Sequence, residues 1–149
     1  MDSWRRIDID QYDPDYQYEA DPIDAPAYTV QQLEPLLGEI RGSISRGDSV
    51  GAIKLCVADP PYGSDAAAKT AYLQSVLSVL VSVKQTEIPN IVKGLDVDET
   101  DTLVKLLYSL MSLKEGQKSG GALLGWFDKV VGIVGERPIV SYVNSSLTL

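Results

Sequence analysis

Several short stretches of this sequence carry residue types that could do chemistry. Gly47-Asp48-Ser49-Val50-Gly51 matches the G-x-S-x-G pattern of a serine nucleophile. Such a serine needs a strand before it to strain it outward and a His to take its proton, and the chain has no His. The same inventory excludes imidazole proton shuttles and Cys/His zinc sites, because Cys56 is the single Cys. Asp96, Asp98 and Asp101 resemble the opening of a calcium loop. The position that such a loop reserves for Gly is Asp101, however, and the position of its bidentate Glu is Leu107. These acids are expected at a helix start, where they oppose the positive end of the helix dipole. Gly116-Gln117-Lys118-Ser119 echoes a phosphate loop without its Gly-Lys-Ser/Thr triplet or the spaced glycine before it. Asn144-Ser145-Ser146 is a formal glycosylation acceptor, expected to stay unmodified in a chain without a secretory route. Cys56 has only Lys54 nearby to activate it and reads as a small core residue. No catalytic, cofactor-binding or metal-ligating residue is therefore expected, and a small hydrolase is the weakest reading of the chain.

Binding residues are a different matter, and charge locates them. Residues 1–28 hold eight acids against Arg5 and Arg6, a net charge of −6 out of −8 for all 149 residues. The remaining body is nearly neutral and offers no basic stripe for phosphate backbones, so nucleic acid is not an expected partner. A purely solvating acidic tail has few aromatics. This segment instead interleaves Trp4, Ile7, Ile9, Tyr12, Tyr16 and Tyr18 with its acids, contains Pro14, Pro22 and Pro26, and shows neither helical nor strand period. It is expected to be an extended partner-binding arm that docks through Trp4, Arg5, Arg6, Ile7, Ile9 and Tyr12. No apolar segment follows Met1 and the longest aliphatic run is Val79-Leu80-Val81, so neither a secretory leader nor a membrane span is expected. The expected compartment is cytosolic or nuclear.

The body that must carry this arm, residues 29–149, reads as helix after helix. Thr29 with Gln32 is a capping-box pair, and Val30, Leu33, Leu37, Ile40 and Ile44 share a helical face. Pro35 interrupts that run, so regular helix is expected only from about Glu34. Arg46-Gly47-Asp48 makes a turn into a short helix bearing Val50, Ile53 and Val57, which the prolines of Asp59-Pro60-Pro61 stop. Asp65 is placed to cap a third helix through about Val83, apolar nearly all round from Tyr72 onward and therefore expected at the centre of the fold, with Leu77 and Leu80 enclosed. A fourth helix is expected over Thr86 to Lys93. A fifth is expected over Glu99 to Leu113, capped by Asp98, before a polar linker from Lys114 to Gly121. Ala122 to Val134 forms a sixth, and Arg137-Pro138 opens a seventh through Val143. The expected fold class is all-α, an irregular stack or bundle of about seven helices behind an extended acidic arm. Trp126 and Phe127 are adjacent on a helix and so point in different directions, which makes Trp126 the candidate partner contact of the core.

The residues also resemble a family. Trp4-Arg5-Arg6-Ile7-Asp8-Ile9-Asp10-Gln11-Tyr12-Asp13 is similar to the aromatic-Arg-basic-aliphatic-Asp-aliphatic-Asp-x-aromatic-Asp leader of subunit 5 of the actin-related protein 2/3 complex. Arg46-Gly47-Asp48, the Asp59-Pro60-Pro61 loop, Lys105-Leu106-Leu107-Tyr108, Gly121-Ala122-Leu123-Leu124-Gly125-Trp126 and Pro138-Ile139-Val140 follow in the family's order. Residues 14–28 match no family pattern. The resemblance implies a non-enzymatic, all-helical subunit, without cofactor, of a seven-subunit assembly that nucleates branched actin filaments. It implies a core packed on scaffold subunits, an arm reaching the actin-related protein 2 subunit, contact with actin filaments through the complex, and a place in the cytoplasm at the cortical cytoskeleton. The alternative from another class is a free-standing helical adaptor that binds short peptides.

Overall fold

The computed structural model describes residues 24–145 together with Leu147 and Leu149. The described residues form eight α-helices and no strand: α1 (Val30–Ser45), α2 (Ser49–Ala58), α3 (Ala66–Ser82), α4 (Ile88–Lys93), α5 (Val97–Ser112), α6 (Lys114–Lys118), α7 (Gly120–Val134) and α8 (Arg137–Asn144). The all-α class expected from the sequence is the class observed.

Side-chain caps set four of the eight described helix starts. Thr29 and Gln32 form the reciprocal capping box at α1, each side chain bonding the other residue's backbone N–H. Asp48 accepts from the Gly51 N–H at 2.9 Å and Asp65 from the Ala68 N–H at 2.8 Å, which fixes the starts of α2 and α3. Several boundaries differ from the sequence reading: α4 starts at Ile88 rather than Thr86 and α7 at Gly120 rather than Ala122, and two further starts have a clear cause. α1 begins at Val30 and runs through Pro35. A proline at that depth removes only the bond to the Gln31 carbonyl, and Gln31 is exposed, so that carbonyl can bond to water. α5 is capped by Asp96, not Asp98, through a second capping box with Glu99, while Asp98 occupies the first turn.

An eighth helix appears where a polar linker was expected. α6 folds because the Gln117 N–H closes a turn onto the Leu113 carbonyl at 3.0 Å. Gly116 permits it: a Cβ there would collide with the Leu110 carbonyl, so the chain turns from α5 toward α7 against bare backbone.

One apolar cluster joins every long helix. α1 packs on α2 and α3, while α5 touches α2, α3, α6, α7 and α8, so the centre is shared between α3 and α5. α3 is not enclosed all round. Ala68, Tyr72, Leu73, Val76, Val79 and Leu80 make its buried arc, Leu77 lies at the arc's edge, and Val81 is 49% exposed. On the far side, Tyr108 of α5 stacks on Tyr142 of α8 at 4.3 Å and meets Phe127 of α7 edge-on at 5.5 Å. The Arg137 guanidinium ties the start of α8 to Asp101 at 2.6 Å.

Candidate functional site

The arm residues named from the sequence, Trp4, Arg5, Arg6, Ile7, Ile9 and Tyr12, lie outside the described residues. What is described is the segment that leads into α1. Residues 24–28 run without regular structure onto the loop between α2 and α3 and are fastened there at three points. The Gly63 N–H donates to the Pro26 carbonyl at 2.9 Å. The Tyr28 N–H donates to Ser64 Oγ at 2.7 Å, and the Tyr28 hydroxyl donates to the Asp59 carboxylate. Gly63 is needed for this approach, because a Cβ would sit 2.6 Å from the Ala25 carbonyl oxygen. The Tyr28 ring packs partly on the core while its hydroxyl stays at the surface. That hydrogen bond, more than the Asp59 charge, holds the phenol above its ordinary pKa.

The loop is rigid from beneath. Pro60 and Pro61 are buried, and each fixes its own φ. The Tyr62 ring lies under the Lys105 ammonium of α5, 5.0 Å from its centroid. Burial raises the Tyr62 pKa against an opposing hydrogen bond with Thr102, and burial lowers that of Lys105 against the pull of Asp101. Deeper, the Tyr72 hydroxyl donates to the Cys56 carbonyl, and burial raises its pKa. The Cys56 thiol is pushed up to about 12 by burial, so at neutral pH it is a protonated core group rather than a nucleophile. The cluster anchors a strap on a body; it holds no activated nucleophile.

The structure places Trp126 where a docking residue cannot act. Its side chain is 0% exposed, and its indole N–H donates to the Leu80 carbonyl at 2.9 Å. The reason lies in the helix packing: α7 turns Leu123, Trp126 and Val130 inward, and Trp126 satisfies a carbonyl in the last turn of α3 that lacks an intrahelical donor. The exposed apolar side chains are others, chiefly Val97, Leu124 (61%), Val140 and Val143 (73%). Sequence reasoning passed over these four, though Val140 and Val143, three apart in an eight-residue helix, carry the spacing of an outward stripe.

Two shallow grooves cross the body. One of about 240 Å³ lies between the α1–α2 turn and α4, beside Asp48 and Glu87. The other, of about 230 Å³, lies between α1 and α3 beside Arg41, Gln74 and Ser75. Among the described residues no group of acids and Cys is placed to hold a metal ion, and no helix is long and apolar enough to cross a membrane. Among them, too, every buried side-chain nitrogen and oxygen has a hydrogen-bond partner.

Comparison with known proteins agrees with the all-helical body described here. The chain is 41% identical over 150 residues to "Actin-related protein 2/3 complex subunit 5" of Saccharomyces cerevisiae, covering 98% of this chain and 97% of that one. It is 29% identical over 147 residues to "Actin-related protein 2/3 complex subunit 5-C" of Xenopus laevis, covering 98% and 94%. The family model described as "ARP2/3 complex 16 kDa subunit (p16-Arc)" matches residues 3–149, and the chain belongs to that family.

Proposed function

We propose that the chain is a non-catalytic structural subunit of the actin-related protein 2/3 complex, working in the cytoplasm at the actin cytoskeleton. The observation that carries this reading is the family match, which spans arm and body together. In this reading the helical core, residues 29–149, packs on scaffold subunits, and the outward apolar side chains Leu124, Val140 and Val143 support it, since such side chains gain most when covered. Residues 1–28 form the partner-binding arm and tether the actin-related protein 2 subunit. Joining two contacts on one chain raises the effective concentration of the second, so neither has to be strong alone. The fastened root at Tyr28 supports this division: a tether acts at a defined place only if its fixed end is fixed. Branched filament nucleation is then a property of the assembly, to which this chain contributes geometry.

Native mass spectrometry of the endogenous chain tests the first part. A stoichiometric multi-subunit assembly is expected. A monomer that binds short peptides would replace this reading with that of a free-standing adaptor. For the arm, a complex reconstituted without residues 1–23 is expected to assemble fully and nucleate more weakly, and unchanged nucleation would remove the tether.

A further inference from the structure

Residues 25–28 form a strap held to the loop by three hydrogen bonds, Gly63 to Pro26, Tyr28 to Ser64 and Tyr28 to Asp59, beside the partial packing of the Tyr28 ring on the core. Of the described tyrosines, Tyr72 is buried, Tyr62 lies under Lys105, and Tyr108 and Tyr142 are stacked on one another. Tyr28 alone among these five joins a surface hydroxyl to a segment without regular structure, which can be drawn into the extended form that an enzyme cleft requires. Its hydroxyl also faces a carboxylate, the one kind of neighbour that modification would turn from partner to repellent.

We propose that Tyr28 is a phosphorylation site, and that its modification unlatches the root of the arm from the α2–α3 loop. The donor is ATP on a tyrosine-directed protein kinase. The Tyr28 Oη–P bond forms as the bond from the γ-phosphorus to its bridging oxygen breaks; ADP leaves, and the phenol proton passes to the kinase's base. The product has lost the proton that bonded Asp59 and carries about −1.5 to −2 charges at neutral pH against that carboxylate. Hydrogen bond becomes like-charge repulsion at the end of the ring, which works against its partial packing and strains the neighbouring Pro26–Gly63 and Tyr28–Ser64 bonds. That a loosened root weakens the tether rests on the arm reading above; the unlatching itself does not.

The test uses the full-length chain with phosphotyrosine incorporated at position 28 and reads hydrogen exchange at the Gly63 amide, which is protected by the Pro26 carbonyl. Exchange is expected to accelerate about tenfold or more with the phosphate, as repulsion between close surface charges implies, and to return after phosphatase treatment. Tyr28→Phe, which removes the bond but adds no charge, is expected to accelerate it less, and Asp59→Asn should restore part of the protection in the phosphorylated chain. A broad-specificity tyrosine kinase with ATP is expected to label Tyr28 in the folded chain. The proposal is overturned if Tyr28 is not labelled, if phosphate leaves Gly63 exchange unchanged, or if Tyr28→Phe matches the phosphorylated chain. Crosslinking of the arm within the assembled complex separates the two readings. An opened Gly63 with undiminished crosslinks keeps the latch and rejects its effect on the tether.

Discussion

The indole N–H of Trp126 on α7 bonds to the carbonyl of Leu80 on α3, 46 residues earlier in the chain, at 2.9 Å. α3 ends two residues after Leu80, at Ser82. The bond thus lets a residue of one helix finish the hydrogen bonding of another, inside the core where water cannot do it. Trp126→Ala should cost about 3–5 kcal/mol, from the cavity together with the orphaned carbonyl. Trp126→Phe keeps most of the volume and loses the donor, so about 1–3 kcal/mol is expected for the unsatisfied carbonyl. Urea melts of the two variants check this, and equal costs would show that the hydrogen bond contributes nothing beyond packing.

Leu80 and Leu77 provide a paired test of how α3 is buried. Leu80 is 1% exposed, whereas Leu77 is only partly covered at the edge of the buried arc. Leu80→Ala should cost about 2–5 kcal/mol, and Leu77→Ala no more than about half of that, because its site opens to solvent and leaves little cavity. Equal losses in denaturant melts would mean that α3 is enclosed on all sides.

Several helices were legible because the sequence writes their caps: Thr29 with Gln32 and Asp65 stand where the structure uses them, and of Asp48 and Ser49, either of which could cap α2, the structure uses Asp48. The failures have physical causes. Asp96 and Asp98 are both acids at a helix start, and only the reach of Glu99 back to the Asp96 N–H decides which is the cap. α6 has no apolar period to read, since Lys114-Glu115-Gly116-Gln117-Lys118 is folded by its neighbours rather than by its own face. Trp126 could be assigned to a helix but not to a side of it. The fastening of residues 24–28 was illegible for a different reason: Tyr28 and Asp59 are 31 residues apart, and no local pattern joins them.

The Cys56 thiol gives a pH signature. Its pKa is raised from the model-compound value of 9.0 to about 12 by burial, so the folded state favours the protonated form. Stability from this group is fully present below pH 9 and is lost as pH rises toward 12, because the unfolded chain ionises first. Cys56→Ser or Cys56→Ala should flatten that part of the stability curve. At pH 8 the native chain should react with an aromatic disulfide reagent far more slowly than the unfolded one, and equal rates would mean that the thiol is accessible.

Truncation separates arm from root. Removing residues 1–23 should leave the melting temperature almost unchanged. Removing residues 1–29 also deletes the Tyr28 contacts and the Thr29 cap, the latter alone worth about 1 kcal/mol, and should lower it visibly. Scanning calorimetry of both chains checks this; equal melting temperatures would mean that the strap is ornamental to stability.

In the proposed reading the arm docks either by its apolar anchors or by its charge, and the two leave different traces. Exposed ion pairs contribute only about 0–1 kcal/mol each and are screened by salt, so binding through the acids would fade as salt rises and survive loss of the apolar side chains. Ordering a segment of this composition costs about 1–2 kcal/mol per residue of backbone entropy, more than scattered surface pairs can offset. Trp4, Ile7, Ile9 and Tyr12 lie close enough in sequence for two or three of them to fill pockets on one partner face, where an aromatic anchor contributes most. Arg5 and Arg6 stand apart from the other charges, because a guanidinium fork pairs with carboxylates in two-point geometry. Trp4→Ala with Ile7→Ala should therefore release the arm in the assembled complex more than Asp13→Asn with Asp15→Asn. Hydrogen exchange of the arm across a salt series, measured for both double variants, decides between them. Stronger release by the Asn pair, or by salt alone, would make the acids the binding determinant and leave the aromatic residues without that role.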